Sequence, residues 1–252
     1  MTSATGVLAL RLAGPLQSWG ASSRFTRRTT ESAPTKSGVI GLLASAAGIG
    51  RDDDENLAPL AALRFGVRID QPGTLTRDFH TAHHGVTGKS MPLSERYYLA
   101  DAVFVAAVEG EHALLTALHA ALRNPVYPPY LGRRSCPPSQ PVDLDLRGNA
   151  RVEEVLRDLP WQASKWYRKR RPSGLTVLRE RAADEATPAD TLRDQPLSFA
   201  AEHRRHALRT VITETVPLPG APVRPTPWHD PFEALPDDSS DDHFAIPDEE
   251  GA

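Results

Sequence analysis

The sequence predicts an α+β fold built on a ferredoxin-like, split βαβ unit. Three observations carry this reading. From Val7 to Leu122 the patterns run β-α-β-(insertion)-β-α, the strand patterns are short apolar runs bounded by turn residues, and the helix patterns carry a cap or a one-sided apolar stripe.

Val7 to Leu12 is a buried strand that stops at the Gly14-Pro15 turn, because Pro15 cannot donate to a ladder and fixes its own φ. A loop follows and closes at Pro34-Thr35-Lys36-Ser37-Gly38, where Thr35 is placed to cap a helix over Ser37 to Ile49. Leu63, Phe65, Val67 and Ile69 alternate with Arg64, Arg68 and Asp70, the pattern of a half-buried strand. Pro72 to Ala100 has no sustained helical period and reads as a long excursion, a length that usually serves function. Ala102 to Val108 is a fully apolar strand, and Leu114, Leu115, Leu118, Ala121 and Leu122 form one helical stripe. A fourth strand is expected after Pro125. This order is that of many RNA-binding (RRM-like) domains, but no stretch matches their aromatic sheet-face pattern, so stacking of bases on the sheet face is not expected.

The 252 residues suit one large or two small domains. No apolar run approaches the roughly 20 residues that cross a bilayer, and the N-terminus lacks a basic region followed by a hydrophobic core. A cytoplasmic protein with no membrane partner is expected. The single cysteine, Cys136, excludes an intrachain disulfide and a Cys-rich zinc site. The net charge of −3 conceals a basic body: after Arg224 there are nine acidic residues and no Lys or Arg, and setting those aside leaves 29 basic against 23 acidic residues. That acidic, proline-bearing tail is expected to be disordered over 230–252.

The basic charge is clustered. The first loop carries Gln17, Trp19, Arg24, Phe25, Arg27 and Arg28, cations for phosphates among flat side chains on which bases can stack. Lys36, Ser37 and Gly38 open the capped helix, whose free N–H groups suit an anion. A nucleotide P-loop needs Gly, Lys and Ser/Thr in that order, whereas here Gly38 follows Lys36-Ser37. The competing reading is a capped core helix with Lys36 in water. Tyr127 to Pro138 (YPPYLGRRSCPP) sets Arg133 and Arg134 beside Gly132 in a loop stiffened by prolines, suited to a fixed phosphate geometry or serving simply as an interdomain connection. Lys165 to Arg171 (KWYRKRR), with Trp161 nearby, is either a polyanion footprint or a solvated turn. His80, His83 and His84, and Glu202, His203 and His206, lack a third and fourth ligand at a recognised spacing, so no metal is expected. No cofactor is expected either.

Five separated motifs, Leu12–Gly20 (LAGPLQSWG), Pro34–Leu43 (PTKSGVIGLL), Gly48–Asp53 (GIGRDD), Arg77–Thr81 (RDFHT) and Tyr130–Pro137 (YLGRRSCP), resemble the Cas-five family, the CasD-type RAMP subunits of the type I-E CRISPR surveillance complex, Cascade. The likeness spans Val7 to about Pro138 and is faint beyond Arg151. It implies a RAMP domain over 1–150 with a protruding β-hairpin thumb at about 72–100, then a smaller β-rich C-terminal domain over 151–229. It further implies a non-catalytic subunit that clamps the 5′ handle of the CRISPR RNA, packs its thumb against CasC backbone subunits, contacts the large CasA subunit, and meets target DNA through the assembled complex. The RNA-binding residues expected are Gln17, Trp19, Arg24, Arg27, Arg28, Lys36, Ser37, Gly38, Arg77, His80, Arg133 and Arg134. Two alternatives stay open. One is a metal-independent endoribonuclease, as in type I-C relatives, drawing on Lys36, His80, His83, His84, Lys89 and Tyr97. The other is an architectural subunit without RNA contact.

Overall fold

The computed structural model describes residues 4–20, 27–170 and 172–218. Strand β1 (Thr5–Ala13) places Val7 and Ala9 on one face and Leu8, Leu10 and Leu12 on the other. A strand apolar on both faces needs cover on both. After the two-residue strands β2 (Leu16–Gln17) and β3 (Arg27–Arg28) come helices α1 (Lys36–Ala46) and α2 (Asp54–Ala61). Strand β4 (Arg64–Gln71) leads into a hairpin of β5 (Thr74–His80) and β6 (Ser94–Ala100), then β7 (Val103–Glu111), α3 (His112–Arg123) and β8 (Asp143–Gly148). The chain continues with α4 (Val152–Asp158), a 3₁₀ turn at Tyr167–Arg170, and strands β9 (Leu175–Glu180), β10 (Asp190–Ser198) and β11 (Arg205–Val216).

The protein is α+β. Seven antiparallel strands form one sheet in the order β10-β11-β9-β4-β7-β1-β8. Helices α1 and α3 cover one face, where Leu8, Leu10, Phe65, Phe104, Ile40 and Leu115 are fully buried. Each such Leu or Phe contributes roughly 1.5–3 kcal/mol. Helix α4 covers the other face with Val152, Val155 and Leu156 against Val7, Ala9, Val105 and Ala107. Among the described residues no helix is long and apolar enough to cross a membrane.

Thr35 caps α1 as expected, accepting from the Gly38 N–H at 3.2 Å. The helix ends before the expected Ile49, and Gly48 turns the chain at φ +77°. Strand β4 departs from the half-buried expectation. Its second face holds Gly66, Arg68 and Asp70, and α4 covers it so closely that a Cβ on Gly66 would lie 2.8 Å from Leu156. Residues 151–229, expected as a β-rich C-terminal region, supply α4 and β9 to β11 in their described part, and β9 hydrogen-bonds to β4 of the same sheet. The acidic tail lies outside the described residues.

An ion cluster ties α4 to the sheet. Arg64 bonds Glu153 and Glu109, and Arg179 bonds Glu185 at 2.7 and 2.8 Å and Glu214 at 2.9 Å. The Arg179 guanidinium holds the Glu185 carboxyl down at about 2. Burial pushes Glu153 up, but the Arg64 guanidinium more than offsets it, leaving that carboxyl below its ordinary value. Because both carboxyls bind protons less readily folded than unfolded, their stabilisation is full above the ordinary value of 4.5 and is lost as pH falls towards about 2. Thermal melts across that window should show a shallower loss for Glu185→Gln than for the parent; identical slopes would remove Glu185 from the account.

Candidate nucleic-acid interface

The loop after β1 is stitched to the Tyr130–Pro137 turn although more than a hundred residues separate them. Ser18 N–H donates to Leu131 O at 3.1 Å, Ser139 N–H to Ala13 O at 2.9 Å, and the turn closes on itself through Cys136 N–H to Arg133 O at 2.9 Å. Gly132 makes this possible: it has φ +82°, and a Cβ there would sit 1.8 Å from Ser18 O. Cys136 is buried beneath the turn, and burial pushes its thiol up.

Three residues expected to hold RNA are corrected to structural roles. Gln17 is fully buried, its Nε2 donating to Leu12 O and Ala102 O while its Oε1 accepts from Trp19 Nε1 at 3.0 Å. Trp19 is also fully buried, close enough to α1 that a Cβ on Gly38 would lie 2.8 Å from its ring. Neither offers a face to a base. Lys36 is buried, paired with Glu180 at 2.9 Å, and its backbone N–H is taken by the Asp194 carboxylate at 2.8 Å. Burial pulls its ammonium below the ordinary lysine range, with Glu180 opposing only in part. The anion at the start of α1 is therefore Asp194, itself held by Arg209 at 2.5 and 2.9 Å. The alternative of Lys36 standing in water is overturned too.

Arg27 and Arg28 are exposed on β3, which pairs with β6, while β5 pairs along the other edge of β6. Successive strand side chains point to opposite faces. Register therefore splits the expected cations. One face carries Arg27, Arg77, Phe79, Glu95 and Tyr97; the other carries Arg28, Asp78, His80, Arg96 and Tyr98. On the first, Arg27 lies 5.2 Å from the Tyr97 ring centre and bonds its hydroxyl at 3.3 Å, and Arg77 lies over Phe79 and 3.8 Å from Glu95. Onto the second reaches Arg133, 4.8 Å from the Tyr98 ring centre and donating to Arg28 O at 3.0 Å. Arg96 Nε and one terminal nitrogen of Arg133 are buried with no hydrogen-bond partner among the described residues.

Arg134 turns the other way, into a groove of about 720 Å³ along the small-residue side of α1. Ser37, Gly38 and Gly41 floor it, Tyr127, Tyr130 and Phe199 wall it, and Arg51 and Arg204 join Arg134 at its rim. Arg24 lies outside the described residues. Sequence reading left Arg96, Tyr98, Arg51 and Arg204 out of the site; the Arg96-Tyr97-Tyr98 run was a usable signal, whereas Arg51 and Arg204 carry no local one. Among the described residues no three His, Cys, Asp or Glu side chains converge as metal ligands. His83 and His84 bond within the hairpin tip, to Gly88 O and Thr87 N–H.

A sequence profile of the family described as CRISPR-associated protein (Cas_Cas5) matches residues 7–212. The CRISPR system Cascade subunit CasD of Escherichia coli (strain K12) is 39% identical over 155 residues, 54% of this chain and 69% of that protein. A crystal structure of a Cas protein superposes with a TM-score of 0.64 at 39% identity, covering 84% of this chain and 97% of the other. A chain of a CRISPR RNA-guided surveillance complex superposes with a TM-score of 0.65 at 31% identity, covering 85% and 91%.

Proposed function

Since the chain belongs to the CRISPR-associated Cas5 family, we propose that it is a non-catalytic subunit of a CRISPR RNA-guided surveillance complex that grips the 5′ handle of the guide RNA and caps the backbone of CasC subunits. One observation carries the RNA reading: exposed Arg28 shares a hairpin face with Arg96, and Arg133 reaches onto the same face over Tyr98. Guanidinium groups gathered on one face suit the phosphate oxygens of a nucleic-acid backbone. Tyr98 is itself buried under Arg133, so the face works through charge and backbone contacts. The groove beside Arg134 supports a path for the handle along α1.

The strand order β8-β1-β7-β4 with α1 and α3 on one face supports the ferredoxin-like, RAMP reading of the core, and the β5–β6 hairpin supports that of the thumb. The opposite hairpin face suits a protein neighbour. Leu75 and Phe79 share it with Arg27 and Arg77 and are 61% and 49% exposed. CasC is the partner proposed there, with CasA contact and target DNA reached through the assembly. An endoribonuclease is disfavoured because Lys36 is spent on Glu180 and the Tyr97 hydroxyl on Glu95 and Arg27, which leaves no shared cleavage centre with the hairpin histidines.

Binding of a labelled handle-bearing RNA tests this. Arg28→Glu with Arg133→Glu is expected to weaken it at least tenfold, since a hydrogen bond to a charged group contributes roughly 1.5–3 kcal/mol, and to lower the salt slope by about 0.7 per phosphate released. Arg27→Glu is expected to spare RNA affinity and impair association with CasC. Unchanged handle affinity in the double variant, or specific cutting of a repeat RNA by the protein alone, would overturn the assignment.

A further inference from the structure

The KWYRKRR segment lies away from the interface just described. From Leu159 to Arg179 there is no Asp or Glu, and Lys165, Lys169 and Arg170 are exposed without an ion pair among the described residues. Trp166 is 53% exposed. Its ring meets Tyr167 edge-on at 5.7 Å and 87°, and Tyr167 meets Trp161 at 6.2 Å and 73°. Arg170 sits 5.7 Å from the Trp166 ring centre and 5.3 Å from that of Tyr167. Arg171 lies outside the described residues.

This is no loosely solvated turn. Trp161 Nε1 donates to Asp70 O at 2.9 Å, Gln162 N–H to the Asp70 carboxylate at 2.5 Å, and Ser164 Oγ to Gln71 Oε1 at 2.7 Å. Arg168 Nε donates to Ala163 O at 2.8 Å, closing the turn. Gln71 also bonds Asp101 O, across the root of the hairpin. The platform therefore stands at the end of the sheet where the hairpin leaves, on the layer of α4, because Trp161 packs against the core beneath that helix. A pinned aromatic and cationic surface binds with little ordering cost.

We propose that Trp161–Arg170 is a second docking surface for single-stranded nucleic acid, with a base stacked on Trp166 and phosphates on Lys165, Lys169 and Arg170. Stacking on an exposed ring among cations is the recognition mode of sequence-tolerant single-strand sites. It uses none of the residues of the handle interface and stands without that reading. RNA and DNA share the required chemistry.

The test is anisotropy of labelled oligo-U and oligo-dT of about 12 nucleotides, a length within the span of single-strand sites, against the full-length protein over a salt series. Trp166→Ala is expected to weaken binding about tenfold, in line with the cost of unstacking one base. Lys165→Glu with Lys169→Glu should also weaken it and lower the salt slope by roughly 0.7 for each phosphate no longer neutralised. A stronger response with oligo-U or with oligo-dT identifies the natural strand. Oligomer affinity indifferent to both platform variants would overturn the proposal, as would platform variants that keep that affinity but lose a protein subunit.

Discussion

Arg68→Ala should cost about 3–5 kcal/mol of folding stability, the usual penalty for removing one partner of a buried ion pair. Arg68 is fully buried in the middle of β4. Its guanidinium holds both oxygens of Asp70 at 2.6 and 3.0 Å and donates to the carbonyls of Leu156, Leu159 and Pro160, where α4 ends. Truncation strands a carboxylate and three acceptors in the layer between sheet and helix. Burial already pushes the Asp70 carboxyl up, with Arg68 drawing it back, so losing Arg68 favours its protonation. Urea denaturation of Arg68→Ala, Asp70→Asn and the double variant measures this. The double variant is expected to lose much less than the two single losses together, because the uncompensated charge is gone. A loss below about 1 kcal/mol in Arg68→Ala would place the residue in the class of surface pairs and refute the burial argument. Arg68 also holds the carbonyls of Leu159 and Pro160 just ahead of Trp161, so Arg68→Ala should loosen the Trp166 platform and weaken oligomer binding.

Gly132→Ala is the second large effect, roughly 2–5 kcal/mol from left-handed strain together with overpacking. The added methyl would meet the Ser18 carbonyl at 1.8 Å, and backbone on both sides leaves neither segment free to yield. The turn would have to lift, carrying Arg133 off Tyr98 and Arg134 out of the groove, so handle RNA affinity should fall with stability. Gly88→Ala is the matched control. It shares a positive φ, +66°, at the hairpin tip but has nothing within 4 Å, so only local strain of about 1–2 kcal/mol is expected. Equal losses at the two glycines would show that strain alone decides and that the packing of the two loops contributes nothing.

Much of the fold is legible locally. The β1 run, the Thr35 cap, the stripe of α3 and the long excursion before β7 each rest on residues within a few positions of one another. Helices α2 and α4 escape because they are only eight and seven residues long, too short for a clear period. Arg64 and Arg68 look like the solvent side of a half-buried strand only because nothing near them in sequence announces α4, which turns that side into an interior.

The sequence by itself determined the α+β class, the order of the main strands and helices, the Gly132 turn with its paired arginines, and the family likeness. Tertiary structure alone decided which cations remain available. Lys36 is taken by Glu180 and Asp194, 144 and 158 positions away, and Gln17 by the carbonyl of Ala102. Arg27 and Arg28, neighbours in the chain, are sent to opposite faces by their register on β6. Composition and spacing report which chemistry a chain carries; burial and register, set by partners distant in sequence, determine where that chemistry faces water.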